Sequence, residues 1–257
     1  AVAVGPHDHL YVAGDLSLLR LDAKRKVDLR ISLPAAPTSL AVGSDGAIYT
    51  GMRDRVAVYS PAGKLTAQWP LSSPRAYVTS LAVAGTGLWV ADAGNRVVLR
   101  CDAGGKVTAK VGARQSELDR ECLIVPSPHL DVAVSRTGQL WVSNPGRHLL
   151  QAYTPDGKVT ASWGKLSFEP EGFSGCCNPT DFALLPDKRF VTAEKGTPRV
   201  KAYRSDGKYE ALVAGPDAFT PGVTGLDLAT NSKGHILVLD PALNAVRIFA
   251  PATRDIR

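Results

Sequence analysis

One sequence unit, met six times, constrains this chain more than any other feature. The unit begins with a small or polar residue and a short apolar run. A turn, a strand carrying an aromatic, a gap and a second strand follow, and the unit closes on a turn ending in Gly-Lys. Thr38-Ser39-Leu40-Ala41-Val42, continuing through Asp45-Gly46 to Ile48-Tyr49, is the clearest opening. It is matched by Thr79 to Val83 with Leu88-Trp89-Val90, and by Leu130 to Val134 with Leu140-Trp141-Val142. Thr180 to Leu184, Thr224 to Leu228, and Ala1 to Val4 with Leu10-Tyr11-Val12 supply the other three. The closing halves superpose as well: Tyr59 to Lys64, Cys101 to Lys106, Tyr153 to Lys158 and Tyr203 to Lys208, with Leu21 and Phe249 in the same place in the outer units. Asp-Gly and Ala-Gly pairs between period-two apolar runs are hairpin chemistry, and no helical period competes with them.

The matched positions fall at Ala3, Ala41, Ala82, Ala133, Ala183 and Asp227, with spacings of 38, 41, 51, 50 and 44 residues. Such spacing suits four-stranded blades that bury their faces against one another. The expected fold is all-β, a six-bladed β-propeller of four-stranded antiparallel blades. Residues 1–257 are expected to form a single domain, with blades starting near 1, 38, 79, 130, 180 and 224. Residue 1 already lies in an innermost strand and residue 257 falls where an outermost strand begins, so the expectation is either that the last blade lacks part of that strand or that flanking residues lie outside this sequence.

Composition agrees and narrows the function classes. With 44% apolar and 21% charged residues, the chain can bury a core. No apolar run approaches the roughly 18 residues of a membrane-spanning helix, so no transmembrane segment is expected. A net charge of +6, spread along the chain, is too diffuse to argue for nucleic acid.

The run from Leu81 to Val97, Leu-Ala-Val then Gly87-Leu88-Trp89-Val90-Ala91-Asp92 and Asn95-Arg96-Val97, resembles the NHL repeat. Looser copies start at Asp131, with Asn144 and Arg147, and surround Glu194, Lys195, Arg199 and Val200. The segment Gly175-Cys176-Cys177-Asn178-Pro179-Thr180-Asp181 resembles one bacterial branch of that family. The resemblance implies a propeller and leaves the activity open, because NHL-like propellers include protein-binding modules, sensor ectodomains, an amidating lyase and hydrolases. It points to a periplasmic or secreted setting. Ala1 in the place of a methionine is compatible with a processed secreted chain.

Two connections, 113–129 and 165–179, account for the two longest spacings and are expected to be neighbours on the top-face rim. They hold Cys122, His129, Cys176, Cys177 and Asn178. Three readings of these cysteines are open: a disulfide from Cys122 to Cys176 or Cys177, a vicinal Cys176–Cys177 disulfide, and ligation of zinc or copper with His129. Cys101 is set aside as a strand core residue, and Trp69 and Trp163 as packing between blades. Asp92, Asn144, Glu194 and Asp240 recur at the end of the second strand. They are read either as a ring at the channel mouth, which would suit calcium, or as turn caps paired with Arg96, Arg147 and Arg199 of their own repeats. His148, Asp181 and Lys195 complete the candidate rim. No nucleophile–base pair or phosphate loop is readable. The expectation is an extracytoplasmic scaffold that binds a protein or ligand through this rim, with a larger membrane-associated assembly as a candidate partner. The alternative is a metal- or thiol-dependent lyase, hydrolase or redox site.

Overall fold

The structure, a computed structural model, describes residues 1–115 and 121–251. Antiparallel sheets succeed one another along the chain, each ordered from its first strand to its last. Blade 1 contains Val2–Val4, Leu10–Gly14, Ser17–Leu21 and Val27–Ser32; blade 2 contains Ser39–Val42, Ile48–Met52, Arg55–Tyr59 and Leu65–Pro70. Blade 3 contains Val78–Ala84, Gly87–Asp92, Val97–Cys101 and Val107–Val111; blade 4 contains Val132–Val134, Leu140–Asn144, Leu149–Tyr153 and Val159–Trp163. Blade 5 contains Asp181–Leu184, Phe190–Glu194, Arg199–Tyr203 and Tyr209–Ala214. Blade 6 has three strands among the described residues, Asp227–Thr230, Ile236–Asp240 and Ala245–Phe249. Each inner strand lies beside the inner strands of both neighbours, blade 6 beside blade 1, so the ring closes as a six-bladed β-propeller.

The register explains the repeat. Ala3, Ala41, Ala82, Ala133 and Ala183 pair with Tyr11, Tyr49, Trp89, Trp141 and Val191. A methyl group suits the narrow inner end of a wedge, and the larger partner one strand out fills the wider part. In blade 6 the equivalent residue is Ala229, paired with Leu237. This corrects the expected match at Asp227, which lies two residues earlier, and makes the last spacing 46 residues. The closing positions hold in all six blades: Leu21, Tyr59, Cys101, Tyr153, Tyr203 and Phe249 pair with Leu10, Ile48, Leu88, Leu140, Phe190 and Ile236.

The turn glycines also lock neighbouring blades. Gly105 and Gly207 adopt left-handed φ values of +83° and +79°, as a tight turn requires, and each lies flat on a tryptophan of the preceding blade's outer strand. A Cβ at Gly105 would come within 2.2 Å of Trp69, and one at Gly207 within 2.4 Å of Trp163. Both tryptophans therefore pack between blades. Cys101 is buried, and burial pushes its thiol up to about 11.

Candidate functional site

The residues that end the second strands are buried struts. Asp92 accepts from the Asn95 backbone (3.1 Å) and side chain (2.6 Å), capping its own turn, and from Tyr77 N–H (3.0 Å) in the incoming connection. Arg96 turns away into solvent with φ 57°, so Asn95, rather than the expected arginine, is the partner of Asp92. Asn144 accepts from Ile124 N–H (2.9 Å) and donates to Cys122 O (3.2 Å) and Gln151 (2.7 Å), and Arg147 donates to Cys122 O (3.3 Å). Asp240 caps the turn at Ala242 and Leu243. Asp92, Asn144 and Asp240 are all buried; Asp240 caps its own turn, and Asp92 and Asn144 hold the connections that arrive from the preceding blade.

Glu194 does this with charge. It accepts from Ser174 N–H (2.9 Å) and pairs with Arg199 (2.9 Å) and Lys201 (2.6 Å). Lys201 is fully buried between the rings of Phe173 and Tyr203, and donates to the carbonyls of Pro170 (3.1 Å) and Gly172. Burial lowers it to about 8, and Glu194 acts to hold its charge. The second long connection is thus gripped from beneath. Arg199 reaches Phe168 O (3.4 Å), Phe173 is buried among Leu150, Phe190 and Tyr203, and the Leu166–Phe173 bridge closes the intervening turn. On its outer side this loop leaves Phe168 82% exposed and Leu166 61% exposed. The first long connection is anchored by Leu123, Val125 and Leu130 in the core between blades 3 and 4.

The two connections meet. Lys195 Nζ donates to Ser127 Oγ (3.0 Å), bridging blade 5 to the first connection, and His148 Nε2 bonds Gly175 O (2.7 Å) in the second. Asn178 fixes the cysteine turn, donating to Ser174 O (2.6 Å) and Lys195 O (3.1 Å) and accepting from Lys195 N–H (2.9 Å). All four cysteines are free thiols. Neither expected disulfide, Cys122 to Cys176 or Cys177 and Cys176 to Cys177, is formed. Cys122 is buried against Arg147, whose guanidinium lies 3.8 Å from its sulfur. Cys176 is exposed, with its sulfur 3.1 Å from that of buried Cys177. Burial acts to raise the Cys177 thiol; hydrogen bonds with Ser127 and Cys176 and the Lys195 ammonium outweigh it and leave Cys177 below its ordinary value. The same shared hydrogen bond raises Cys176. Among the described residues no three His, Cys, Asp or Glu side chains converge as donors for one metal ion. Neither the zinc or copper set of Cys122, His129, Cys176 and Cys177 nor the calcium ring forms such a cluster among the described residues.

Beside this rim the channel opens as a funnel of about 290 Å³ lined by Ser80, His129, Asp131, Asp181 and Asp227. Sequence reasoning singled out Asp181 and missed Asp131 and Asp227. The signal was available: in three successive blades an aspartate immediately precedes the apolar run of the inner strand. Each carboxylate reaches the next blade, Asp131 to Phe182 N–H (2.7 Å), Asp181 to Leu228 N–H (3.1 Å) and Asp227 to Val2 N–H (2.7 Å). Burial raises all three, Asp131 to about 7, and proximity to one another adds to Asp131 and Asp181. Burial and the Lys195 charge lower His129 to about 4.

No protein-family model matches the chain, and no curated protein matches it in sequence. Solved structures do. A virginiamycin B lyase from Staphylococcus aureus superposes with a TM-score of 0.64 at 13% identity, over 98% of this chain and 83% of that one. Hydrazine synthase of Kuenenia stuttgartiensis gives 0.66 at 14% identity, over 98% and 95% of the two chains. A Bacteroides thetaiotaomicron protein of unknown function gives 0.70 at 17% identity, over 96% and 68%. The likeness is one of fold. The neighbours include enzymes, and so low an identity carries no residue of theirs onto this chain.

Proposed function

We propose that the protein is a binding module that holds a partner protein through the top-face rim formed by residues 113–129, of which 116–120 lie outside the described residues, and 165–179, with Lys195, Arg199 and His148 as its supports. The observation that carries this reading is Phe168. A phenylalanine 82% exposed gains nothing from burial within its own chain, yet its loop is held from beneath by Arg199 and Lys201. A rigid, exposed aromatic next to an exposed leucine is the form that interface anchors take, because little ordering entropy is left to lose on binding. The resemblance of the Gly175–Asp181 segment to bacterial propellers motivates an extracytoplasmic setting, with the chain acting as one domain within an assembly at a membrane.

The test is a photo-crosslinker placed at position 169 and, on the opposite face, at position 156, in cells that make the native protein. Capture from position 169 alone is expected; equal capture from both faces would overturn the reading. For the partner so found, Phe168→Ala is expected to weaken affinity at least tenfold, the loss of about 1.4 kcal/mol or more typical of a buried aromatic anchor, with an unchanged melting temperature.

A second reading, a thiol-dependent site, is favoured by the contact between Cys176 and Cys177 beside Lys195. It expects that alkylating Cys176 on the folded protein changes what the rim binds.

A further inference from the structure

We propose that Cys176 and Cys177 form a reversible thiol–disulfide exchange site whose oxidising substrate is a small-molecule disulfide, with Cys176 the sulfur that meets the substrate and Cys177 the sulfur that resolves the adduct. This deepens the thiol reading above and rests on it. Three observations carry it.

The sulfurs are already in contact at 3.1 Å and differ in access, Cys176 being exposed and Cys177 only 2% so. The turn that carries them is fixed on both sides, by His148 at Gly175 O and by Asn178 at Ser174 and Lys195. Two reacting groups held in this way react as if at very high concentration. Finally, the inner sulfur is the one with charge stabilisation at hand. Lys195, itself anchored on Ser127 at 3.0 Å, favours its ionised form, and so does the Ser127 hydroxyl. The nucleophile of an exchange step is the thiolate.

The steps balance. Cys176 sulfur bonds to one sulfur of the incoming disulfide, that S–S bond breaks, and the first thiol leaves with the Cys176 proton. Cys177 sulfur then bonds to Cys176 sulfur, the mixed disulfide breaks, and the second thiol leaves with the Cys177 proton. Two electrons pass from the cysteine pair to the substrate, which ends as two thiols, and the pair ends as a Cys176–Cys177 disulfide. Neighbouring Cα atoms lie about 3.8 Å apart, closer than the span an unstrained disulfide prefers, so thiols of the same class readily reverse the reaction. Cys101 and Cys122, both buried, serve as internal controls.

The experiment incubates the folded chain in glutathione buffers of graded disulfide content, quenches with acid, alkylates in denaturant and weighs the protein and its peptides. Wild type is expected to pass reversibly from four alkylated cysteines to two, with the loss confined to the peptide holding residues 176 and 177. Cys177→Ser is expected to stop at a glutathione adduct on Cys176, and Cys176→Ser to form no adduct on Cys177 while folded. Lys195→Gln is expected to slow the second step measurably, because the thiolate fraction falls and greater nucleophilicity offsets that loss only in part. Four alkylated cysteines at every buffer ratio, or no adduct in Cys177→Ser, would overturn the proposal. Iodoacetamide separates the two levels: if it labels Cys176 on the folded protein but exchange does not occur, exchange alone is overturned. If Cys176 resists the reagent, the thiol reading fails with it.

Discussion

Asp131 and His129 stand two residues apart at the channel mouth and titrate in opposite senses. His129 is driven by burial from 6.5 to about 4, so the native state excludes a proton that the unfolded chain accepts. Its contribution to stability is present above pH 6.5 and lost as the pH falls toward 4. Burial raises Asp131 from 3.8 to about 7, so the native state keeps a proton that the unfolded chain releases. Its contribution is present below pH 3.8 and lost as the pH rises through 7. Each shift corresponds to an upper bound on the order of 4 kcal/mol. Melting temperatures measured from pH 4 to pH 8 are expected to show His129→Gln gaining on wild type toward acid and Asp131→Asn gaining toward neutral pH. Parallel curves for all three proteins would contradict both assignments.

At the scale of the element, the 165–173 loop owes its shape to Lys201. The residue belongs to a third strand, where an outward-facing position is ordinarily polar and solvated, but here the returning loop covers it. Its ammonium replaces water as the donor to the Pro170 and Gly172 carbonyls and neutralises Glu194. Removing one partner of a buried ion pair costs up to about 3 to 5 kcal/mol, and Arg199, which still pairs with Glu194, keeps the loss at the lower end. Lys201→Met is expected to destabilise by that order in denaturant titration and to open residues 165–173 to proteolysis. The double change Lys201→Met with Glu194→Gln is expected to recover part of the stability without restoring protection of the loop. A protected loop in Lys201→Met would show that Phe173 alone suffices to hold it.

For the whole molecule, the weak point is the closure of the ring. Among the described residues blades 1 and 6 share no strand; they meet through a small apolar cluster of Val2, Leu10, Ala229 and Leu237. Asp227 reaches Val2 N–H, and Asp8 accepts from the backbone (2.9 Å) and hydroxyl (2.6 Å) of Ser232. Other junctions have deeper cores, such as the one between blades 3 and 4 around Trp89 and Leu140. Leu237→Ala, at a side chain 1% exposed, is expected to cost about 2 to 5 kcal/mol. Hydrogen exchange should then rise first in blades 1 and 6. A Leu140→Ala control is expected to lower stability without singling out that junction. Uniform exchange across all blades in Leu237→Ala would mean that the ring opens elsewhere.

The sequence by itself determined the blades, their number and most of their register, because a hairpin is local: alternating apolar residues and Asp-Gly turns act within a dozen positions. Even the paired closing residues from Leu21 to Phe249 were legible. The one slip, Asp227 for Ala229, arose because Thr224-Gly225-Leu226 imitates the start of an inner strand while still belonging to the connection. Only the tertiary structure decided the roles of the polar residues. Asp92, Asn144, Glu194 and Asp240 look alike in sequence, and only their burial and their partners in turns and connections tell what each one braces. Likewise, Lys195 meets Ser127 across 68 residues, and Asp131 meets Phe182 across 51. Those contacts exist because closing the ring brings adjacent blades together, and no local pattern records which side chains the closure will place in reach.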